Sequence, residues 1–481
     1  MYSPVLRRLT DRWTGGRGRR ATWWRRRTAP QLFVGSFLVL ILVGTVGLRV
    51  LPGLYTGDAL GWVDALFTAT SAVCVTGLIV VDTATYFTPL GQGFLLLLIQ
   101  IGGLGMITFT TVIILMLGRR ISLRQESAAP NVSDIAPHIN VRRLTRDILL
   151  FTFSLEFAGA TLLFLGWAPQ MGADAVWPAL FHAVSAFCNA GFSIFSDSLV
   201  GARTQPLILL TVMTLVVVGG IGFLTMEELW LRRAHRRRRS RRQTDELVPR
   251  LTLHSRLVIA TTAVLLIGGC LFFTFYEWRL SFDGLPIWAR IMNGMFMSVT
   301  ARTAGFNTID YAAAAEGSNF LTILLMFIGG SPGSTAGGVK VTTFAVIGLL
   351  AWSRYRGGTA AHVAGRTIPE ETIQRAIGLF VLAFGVITLA IFLFTTTETG
   401  LDRHLVADAG ILSYMFEAVS AFGTVGLSMG VTPELSKAGR ILTIVLMYVG
   451  RVGVLTFVAA IALRTRRSGP LRYAHEDVVI G

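Results

Sequence analysis

A short pattern occurs four times in this chain, and it limits the possible folds more than any other feature. Each copy contains a phenylalanine, a serine or threonine followed by alanine, and a glycine nine or ten positions after the phenylalanine. The third copy is one residue short, so the four align fully only from Thr303 onward. Regular spacing of this kind indicates repeated structural units. The glycines, which are 114, 114 and 121 residues apart, are Gly77, Gly191, Gly305 and Gly426.

The composition identifies the solvent in which such units must fold. Of the 481 residues, 53% are hydrophobic and 15% are charged, whereas soluble domains carry about 25% charged residues. A chain this apolar needs lipid around it, because its polar residues are too few to cover a surface in water. The composition therefore excludes a soluble enzyme, a disordered scaffold and a nucleic-acid-binding domain with a conventional core.

Two apolar segments, each long enough to cross a bilayer, flank every copy of the pattern. The stretch before each glycine is too short to span and is typical of a re-entrant helix followed by a loop. The predicted fold class is an all-α polytopic membrane protein with four tandem helix–re-entrant pore loop–helix repeats around one central pore. Its eight predicted spans are residues 32–51, 91–117, 147–167, 206–231, 257–276, 319–351, 375–396 and 440–463.

The net charge of +16 would suit a nucleic-acid-binding protein, but the positions of the charges favour a membrane protein. Most of the 43 lysine and arginine residues lie in five blocks separated by long apolar stretches. Alternate connections are basic, as the positive-inside rule requires. We therefore predict a multi-pass protein of the cytoplasmic membrane with both termini in the cytoplasm. The basic blocks are expected to contact anionic lipid and not nucleic acid.

The repeats and their basic connections divide the chain into six predicted regions. The regions are a basic N-terminal tail (1–29), pore repeat 1 (30–118), pore repeat 2 with its preceding cytoplasmic loop (119–231), pore repeat 3 with its basic loop (232–351), pore repeat 4 with its preceding loop (352–467) and a C-terminal tail (468–481).

The four glycines suit the lining of a pore. Non-helical backbone at membrane depth is tolerated where protein or a water-filled cavity satisfies it. Glycine adopts positive φ, so successive carbonyl groups can turn toward a common axis. A ring of carbonyl oxygens can then replace the water shell of a monovalent cation. The alternative, that these glycines only allow helices to approach closely, accounts for one of them but not for four in register.

Three sets of residues resemble the Trk/Ktr/HKT superfamily of potassium transporters. They are the four helix–loop–helix units, the stretches that end in the four glycines, and the sequence Gly329–Lys340 within the sixth predicted span. The resemblance covers Ala29–Arg467 and is greatest to the Ktr-type membrane subunit. It implies potassium uptake through one pore per subunit, a homodimer, and control by a cytoplasmic ring of nucleotide-binding, RCK-type subunits.

The resemblance makes the four stretches a selectivity filter that holds potassium on its carbonyl oxygens. No cofactor is expected in this chain, because its sequence contains no nucleotide-binding motif. Potassium is the expected transported ion, sodium is a possible coupling or activating ion, and the nucleotide belongs to the partner subunit that the resemblance implies. The predicted filter residues are Val75, Thr76, Gly77, Asn189, Ala190, Gly191, Thr303, Ala304, Gly305, Thr424, Val425 and Gly426.

The sixth predicted span is interrupted by a ten-residue stretch, 329–338, that contains five glycines and a proline. A continuous helix would not choose these residues, and a simple kink would need only one of them. We predict an unwound loop lining the pore, and the resemblance implies that it is a gate below the filter. The predicted gate residues are Gly329, Gly330, Ser331, Gly333, Ser334, Gly337, Gly338, Lys340 and Arg451.

Charged residues at membrane depth are candidates for function. A central arginine costs at least about 2.5 kcal/mol on insertion scales, so Arg451 should face protein or water. It is either an electrostatic part of the gate or a structural partner of a carboxylate or of loop carbonyls. Lys340 either belongs to the gate or extends toward the cytoplasm. Glu156 is a third such charge, and the sequence suggests no partner for it.

The remaining alternatives concern the ion and the class of protein. Within the resemblance, a serine at the first filter glycine accompanies sodium permeation, and Gly77 at that position favours potassium over a sodium-permeable, HKT-like transporter. The ion-conducting subunit of an ATP-driven potassium pump and a non-transporting receptor are the other candidates. No catalytic residues are predicted, and His182 is interpreted as a packed polar residue.

Overall fold

The computed structural model describes residues 29–126, 141–242, 251–358, 361–363, 365–398 and 410–453. Within these ranges the chain is almost entirely helical, with one short hairpin of β1 (His362–Val363) and β2 (Arg366–Thr367). The helices are α1 (Ala29–Val50), α2 (Trp62–Cys74), α3 (Thr83–Tyr86), α4 (Pro89–Glu126), α5 (Val141–Met171), α6 (Val176–Cys188), α7 (Pro206–Ile221), α8 (Phe223–Arg242), α9 (Leu253–Glu277), α10 (Ile287–Thr300), α11 (Glu316–Phe327), α12 (Val341–Tyr355), α13 (Glu370–Glu398), α14 (Ile411–Gly423) and α15 (Lys437–Val452).

Long apolar helices form the outer layer. Five segments of the described chain, in α1, α4, α5 continuing into α6, α9 and α13, are long and apolar enough to cross a membrane. Large apolar side chains such as Phe157 and Phe275 are exposed on their outer faces, as expected where lipid is the solvent. The predicted all-α polytopic membrane protein is thus confirmed as a class.

The seventh helix departs from the predicted continuous span 206–231. It ends at Ile221, and α8 leaves it at an angle of 103°. Gly222 lies at the break with φ of +91°, a conformation that glycine adopts without strain. Residues 232–242, where the predicted basic connection before the third repeat begins, are helical and continue α8. Arginine is a good helix former, so a run of arginines can extend a helix into water.

The number of spans stays a prediction. The α7–α8 pair adds a sixth candidate crossing to the five long segments. Of the other predicted spans, 319–351 is divided into α11 and α12 by the predicted intramembrane loop. The span 440–463 is described only as far as residue 453. The predicted tails 1–29 and 468–481 lie almost wholly outside the described residues.

Four short helices, α2, α6, α10 and α14, occupy the interior. They contain 13, 13, 14 and 13 residues, which is too short to cross a bilayer. Their C-terminal halves are buried, and their neighbours are the long helices: α2, for example, lies against α1, α4 and α15. The phenylalanines of the repeated pattern anchor these helices in the core and are almost fully buried: Phe67, Phe181, Phe296 and Phe416.

Candidate functional site

The four glycine stretches adopt one backbone conformation. Each glycine has positive φ, between 70° and 95°, and so does the residue two positions before it. Those residues are Val75, Asn189, Thr303 and Thr424, with φ between 50° and 71°. A positive φ is uncommon for a side chain other than glycine, so the shared value reflects a backbone turn repeated four times. The third copy is one residue shorter than the others in the segment before Thr303, and its short helix α10 ends at Thr300.

The glycines meet in a closed ring. A side chain on Gly77 would collide with the carbonyl of Ala190, and one on Gly191 would lie 2.8 Å from the carbonyl of Ala304. Gly305 contacts the carbonyl of Val425 in the same way, and Gly426 contacts that of Thr76. Each stretch therefore touches the next in cyclic order, with backbone carbonyls at every junction. The predicted filter residues are brought together, although residues more than 300 positions apart contribute to the ring.

The serine or threonine of the repeated pattern fastens each stretch to its own short helix. Ser71 Oγ accepts a hydrogen bond from the amide of Gly77 at 3.1 Å. In the other copies the hydroxyl donates to the carbonyl that follows the glycine, at 2.8, 2.5 and 2.6 Å. The hydroxyls are those of Ser185, Thr300 and Ser420, so this part of the pattern has a structural cause.

A cavity lies on the side of the ring that follows the glycines. Its volume is about 310 Å³, and its lining includes the four glycines, Asp82, Asp310 and Tyr311. Burial raises the pKa of the Tyr311 hydroxyl above its usual range, so this group stays neutral. Carboxylates that line a narrow site raise the local concentration of cations. The cavity is therefore suited to admit a positive ion to the ring.

The predicted intramembrane loop lies on the other side of the ring. Residues 329–338 are not helical, and a bridge between Ile328 and Val339 closes the loop. A side chain on Gly337 would collide with the side chain of Thr424, and Thr335 donates to the Phe187 carbonyl at 3.4 Å. The loop is buried directly against the residues that precede the glycines.

The break between α7 and α8 holds this loop in place. The amides of Ser331 and Thr335 donate to the carbonyls of Gly220 and Gly219, at 2.9 and 3.3 Å. In return, the amide of Phe223 donates to the Gly333 carbonyl at 3.1 Å. The broken helix thus supplies backbone groups that a continuous helix would have used internally, and it satisfies the polar backbone of the loop.

Two cations predicted for this region also bind the loop. Arg451 is fully buried and donates to the carbonyls of Thr335 and Gly102, the latter at 3.2 Å. Lys340 Nζ donates to the carbonyl of Ala336 at 2.6 Å, so the alternative in which this side chain extends toward the cytoplasm is wrong. Of the two kinds of partner considered for Arg451, the described part of the chain provides carbonyl groups, one from the loop and one from α4, and no carboxylate.

Arg302 is a third buried cation at the loop, and sequence reasoning missed it. It is 8% exposed, and its Nη2 donates to the Gly329 carbonyl at 3.2 Å. The residue stands inside the third repeated stretch, where the other copies have Cys74, Cys188 and Gly423. A charge at one of four equivalent positions was the signal that could have identified it.

Glu156 has a partner that the sequence did not suggest. Gln100 Nε2 donates to both carboxylate oxygens, at 3.0 and 3.1 Å. Glu156 is buried on α5, and Gln100 reaches it from α4. Cys188, the last residue of the short helix α6, lies next to both side chains. The contact between Gln100 and Glu156 is therefore beside α6 and not at the loop.

Comparison with known proteins agrees with this arrangement. The chain resembles the potassium/sodium uptake protein NtpJ of Enterococcus hirae, with 37% identity over 95% of this chain and 98% of that protein. It is 38% identical to the Ktr system potassium uptake protein B of Bacillus subtilis, over 95% of this chain and 98% of the relative. The potassium transporter TrkH of Vibrio parahaemolyticus has a similar fold, with a TM-score of 0.69, 19% identity and coverage of 89% of this chain and 83% of that one. The family model of the TrkH cation transport proteins matches residues 25–467, and the chain therefore belongs to that family.

Proposed function

We propose that this protein takes up potassium across the cytoplasmic membrane through the ring of four glycine stretches, which acts as a selectivity filter. The observation that carries the proposal is the cyclic contact of Gly77, Gly191, Gly305 and Gly426 with the carbonyls of their neighbours. Carbonyl oxygens in such a ring replace the hydration shell of a monovalent cation. The choice of ion is supported by a relative named a potassium uptake protein, 38% identical, and by one named a potassium/sodium uptake protein, 37% identical.

The proposed architecture has four tandem repeats, eight spans and both termini in the cytoplasm. Each short helix then enters from the outside and aims its C-terminal end at the ring. The partial negative charge at that end stabilises a cation there. In this orientation the cavity with Asp82 and Asp310 opens to the outside, and the basic helix α8 lies on the cytoplasmic side, where positive residues are favoured.

The intramembrane loop 329–338 is the proposed gate. It lies in the path between the ring and the cytoplasm, and Arg302, Lys340 and Arg451 hold its carbonyls. A cation beside a narrow path also raises the barrier for a passing ion, by several kcal/mol where screening is poor. Conduction then requires the loop to move away together with at least part of this charge.

The membrane potential can drive uptake without chemistry in this chain. An inside-negative potential of 100 mV is worth about 2.3 kcal/mol for each monovalent cation that enters. Sodium is a proposed coupling or activating ion, since one relative is named a potassium/sodium uptake protein. We further propose that the protein acts as a homodimer with a cytoplasmic, nucleotide-binding regulatory ring.

Flux through the purified chain tests the proposal. Reconstituted alone in liposomes under an inside-negative potential, the protein should admit potassium in preference to sodium, at a rate that falls when the potential is removed. The sodium concentration is varied separately, and a rate that rises with sodium supports coupling or activation. Flux that appears only with an ATPase partner and ATP would instead identify a pump subunit, and equal entry of both ions would contradict the filter.

A further inference from the structure

Two polar side chains lie behind the filter at equivalent positions of the repeated pattern. The residue after each pattern phenylalanine differs among the copies, and in the second and fourth it is a fully buried His182 and Glu417. These two stretches do not adjoin in the ring, because Gly191 and Gly426 each lie between Gly77 and Gly305. The two polar side chains therefore stand behind opposite sides of the filter.

His182 reaches the outer end of the second stretch. Its Nδ1 lies 2.8 Å from the Pro178 carbonyl, to which it donates, so Nε2 is the acceptor of this ring. The hydroxyl of Ser193 lies 2.9 Å from Nε2 and donates to it. Ser193 is two residues after Gly191, and it also accepts the amide of Phe195 at 3.0 Å. The histidine thus holds the turn by which the stretch leaves the ring.

Glu417 makes the same connection in the fourth stretch. Its Oε2 accepts from the hydroxyl of Ser428 at 3.0 Å, and its Oε1 accepts from Thr432. Ser428 is two residues after Gly426 and accepts the amide of Gly430 at 3.0 Å, as Ser193 does for Phe195. A buried acceptor on the short helix and a serine after the glycine therefore recur as a pair.

The first and third stretches have no such pair. The residues at the acceptor position are Thr68 and Met297, and those at the serine position are Ile79 and Asn307. In the described part of the chain, the buried hydroxyl of Thr68 has no hydrogen-bond partner. In the described part of the chain, the pairing of a buried acceptor with a serine two residues after the glycine occurs in the two opposite stretches. The other stretches are held by different contacts, such as the Asn307 amide donating to Ser198 Oγ at 3.3 Å.

We propose that the His182–Ser193 and Glu417–Ser428 pairs are positioning residues that determine the selectivity of the filter. The proposal rests on the proposed function of the ring. Discrimination between two ions of equal charge depends on the spacing of the carbonyl oxygens and on how freely that spacing changes. A hydrogen bond to a buried acceptor fixes each turn directly beyond the glycine. The two hydrogen-bonded pairs on opposite sides set the width of the ring along one diagonal. The neighbouring stretches contact these two, so their positions depend on that width.

The serines provide the sharpest test, because removing a hydroxyl leaves the acceptors and the fold in place. Ser193→Ala, Ser428→Ala and the double variant are reconstituted in liposomes, and KM and maximal rate are measured for potassium and sodium. Each single variant should lower the potassium preference about two- to tenfold, the range expected from one hydrogen bond, mainly through KM. The double variant should lower it further.

The equivalent positions of the other stretches supply matched controls. Thr68→Val and Met297→Leu preserve size at the corresponding buried sites and should keep the selectivity of the wild type. Glu417→Gln retains an acceptor oxygen and should stay closer to wild type than Glu417→Leu. A non-selective wild type would overturn the filter itself. A selective wild type whose serine variants, single and double, match Thr68→Val would overturn the proposed pairs alone.

Discussion

At the scale of single residues, the ring depends on positions without side chains. Gly77 combines a φ of +93° with a backbone carbonyl in the place where a Cβ would stand. The two requirements are separable, because Gly53 has a φ of +78° with nothing within 4 Å of a Cβ. Substitution at Gly53 therefore measures the cost of the backbone conformation, and substitution at Gly77 adds the displacement of a neighbouring carbonyl.

Gly77→Ser should reduce the discrimination between potassium and sodium, because its Cβ must displace the carbonyl of Ala190. The loss should be about tenfold or more, since a contact this close forces the backbone itself to move. Gly53→Ser serves as the control and should keep the selectivity of the wild type. The measurement is the ratio of potassium to sodium flux in cells that lack their own uptake systems. Unchanged selectivity after serine substitution at all four ring glycines would remove the basis for the filter.

Removal of a buried cation should loosen the intramembrane loop. Arg451→Gln and Arg302→Gln each weaken a hold on loop carbonyls and lower the positive charge near the path, so potassium flux should rise by several-fold. Arg203→Gln, at an exposed arginine, should leave flux unchanged. If the two buried variants abolish flux while the folded protein remains in the membrane, these arginines support the open pore and do not close it.

At the scale of elements, two breaks in apolar helices support each other. The loop between α11 and α12 exposes polar backbone inside the protein, and the break between α7 and α8 supplies partners for it. Neither irregular segment would be stable against lipid, because unsatisfied amide and carbonyl groups are costly there. The intramembrane loop and the α7–α8 break therefore form one unit, although they belong to different predicted repeats.

Shortening the loop should open the path. Deletion of several residues between Gly330 and Gly337 should raise potassium flux and weaken its regulation, because the segment that stands below the ring is removed. Flux is compared with that of the full-length chain at equal amounts of folded protein. A correctly folded deletion variant with wild-type flux and regulation would mean that the loop is not the barrier.

The α7–α8 break at Gly222 can be disturbed without shortening the loop. A Cβ on Gly222 would lie 2.8 Å from the Pro332 carbonyl, so Gly222→Ala should displace the loop and change the rate of potassium flux. Gly172→Ala also places alanine at positive φ, but with nothing within 4 Å, and it should behave as wild type. Equal flux in the two variants would show that the α7–α8 break does not act on the loop.

At the scale of the whole molecule, the basic segments, which we propose to lie in the cytoplasm, offer surfaces for regulation by a partner. Helix α8 begins directly after the Gly222 break that holds the loop, and it continues as the arginine-rich segment 232–242. A partner or an anionic lipid that binds this helix could therefore act on the proposed gate through Gly222. Charge complementarity between such a helix and an acidic surface favours association and makes it sensitive to salt.

Copurification tests for a regulatory partner. Mild detergent extraction of native membranes at low salt should recover a soluble nucleotide-binding protein with this chain, and raising the salt concentration should release it. Neutral substitutions in 232–242 should weaken the association, whereas those in the N-terminal block before Pro30 should not. Recovery of this chain alone at low salt would exclude a permanent regulatory ring.

The sequence by itself determined the class of protein, the repeated units and the positions of the four glycines. These follow from local properties: apolar length fixes what can span lipid, and a glycine-rich run inside a span cannot continue as a helix. The serine or threonine in the pattern acts within its own stretch, so its contacts are also local. The predictions failed where a regular apolar run concealed a break, as at Gly222, whose conformation depends on the loop that it contacts.

Only the tertiary structure decided which distant groups meet. Arg451 binds a carbonyl 116 positions away and another 349 positions away, and no periodicity in the sequence links them. Arg302, Gln100 and the serines beyond the ring acquired their roles in the same way. A buried polar group must find a partner, but the sequence does not specify which one. The partner is set when the helices pack, because packing decides which backbone groups remain unsatisfied within reach.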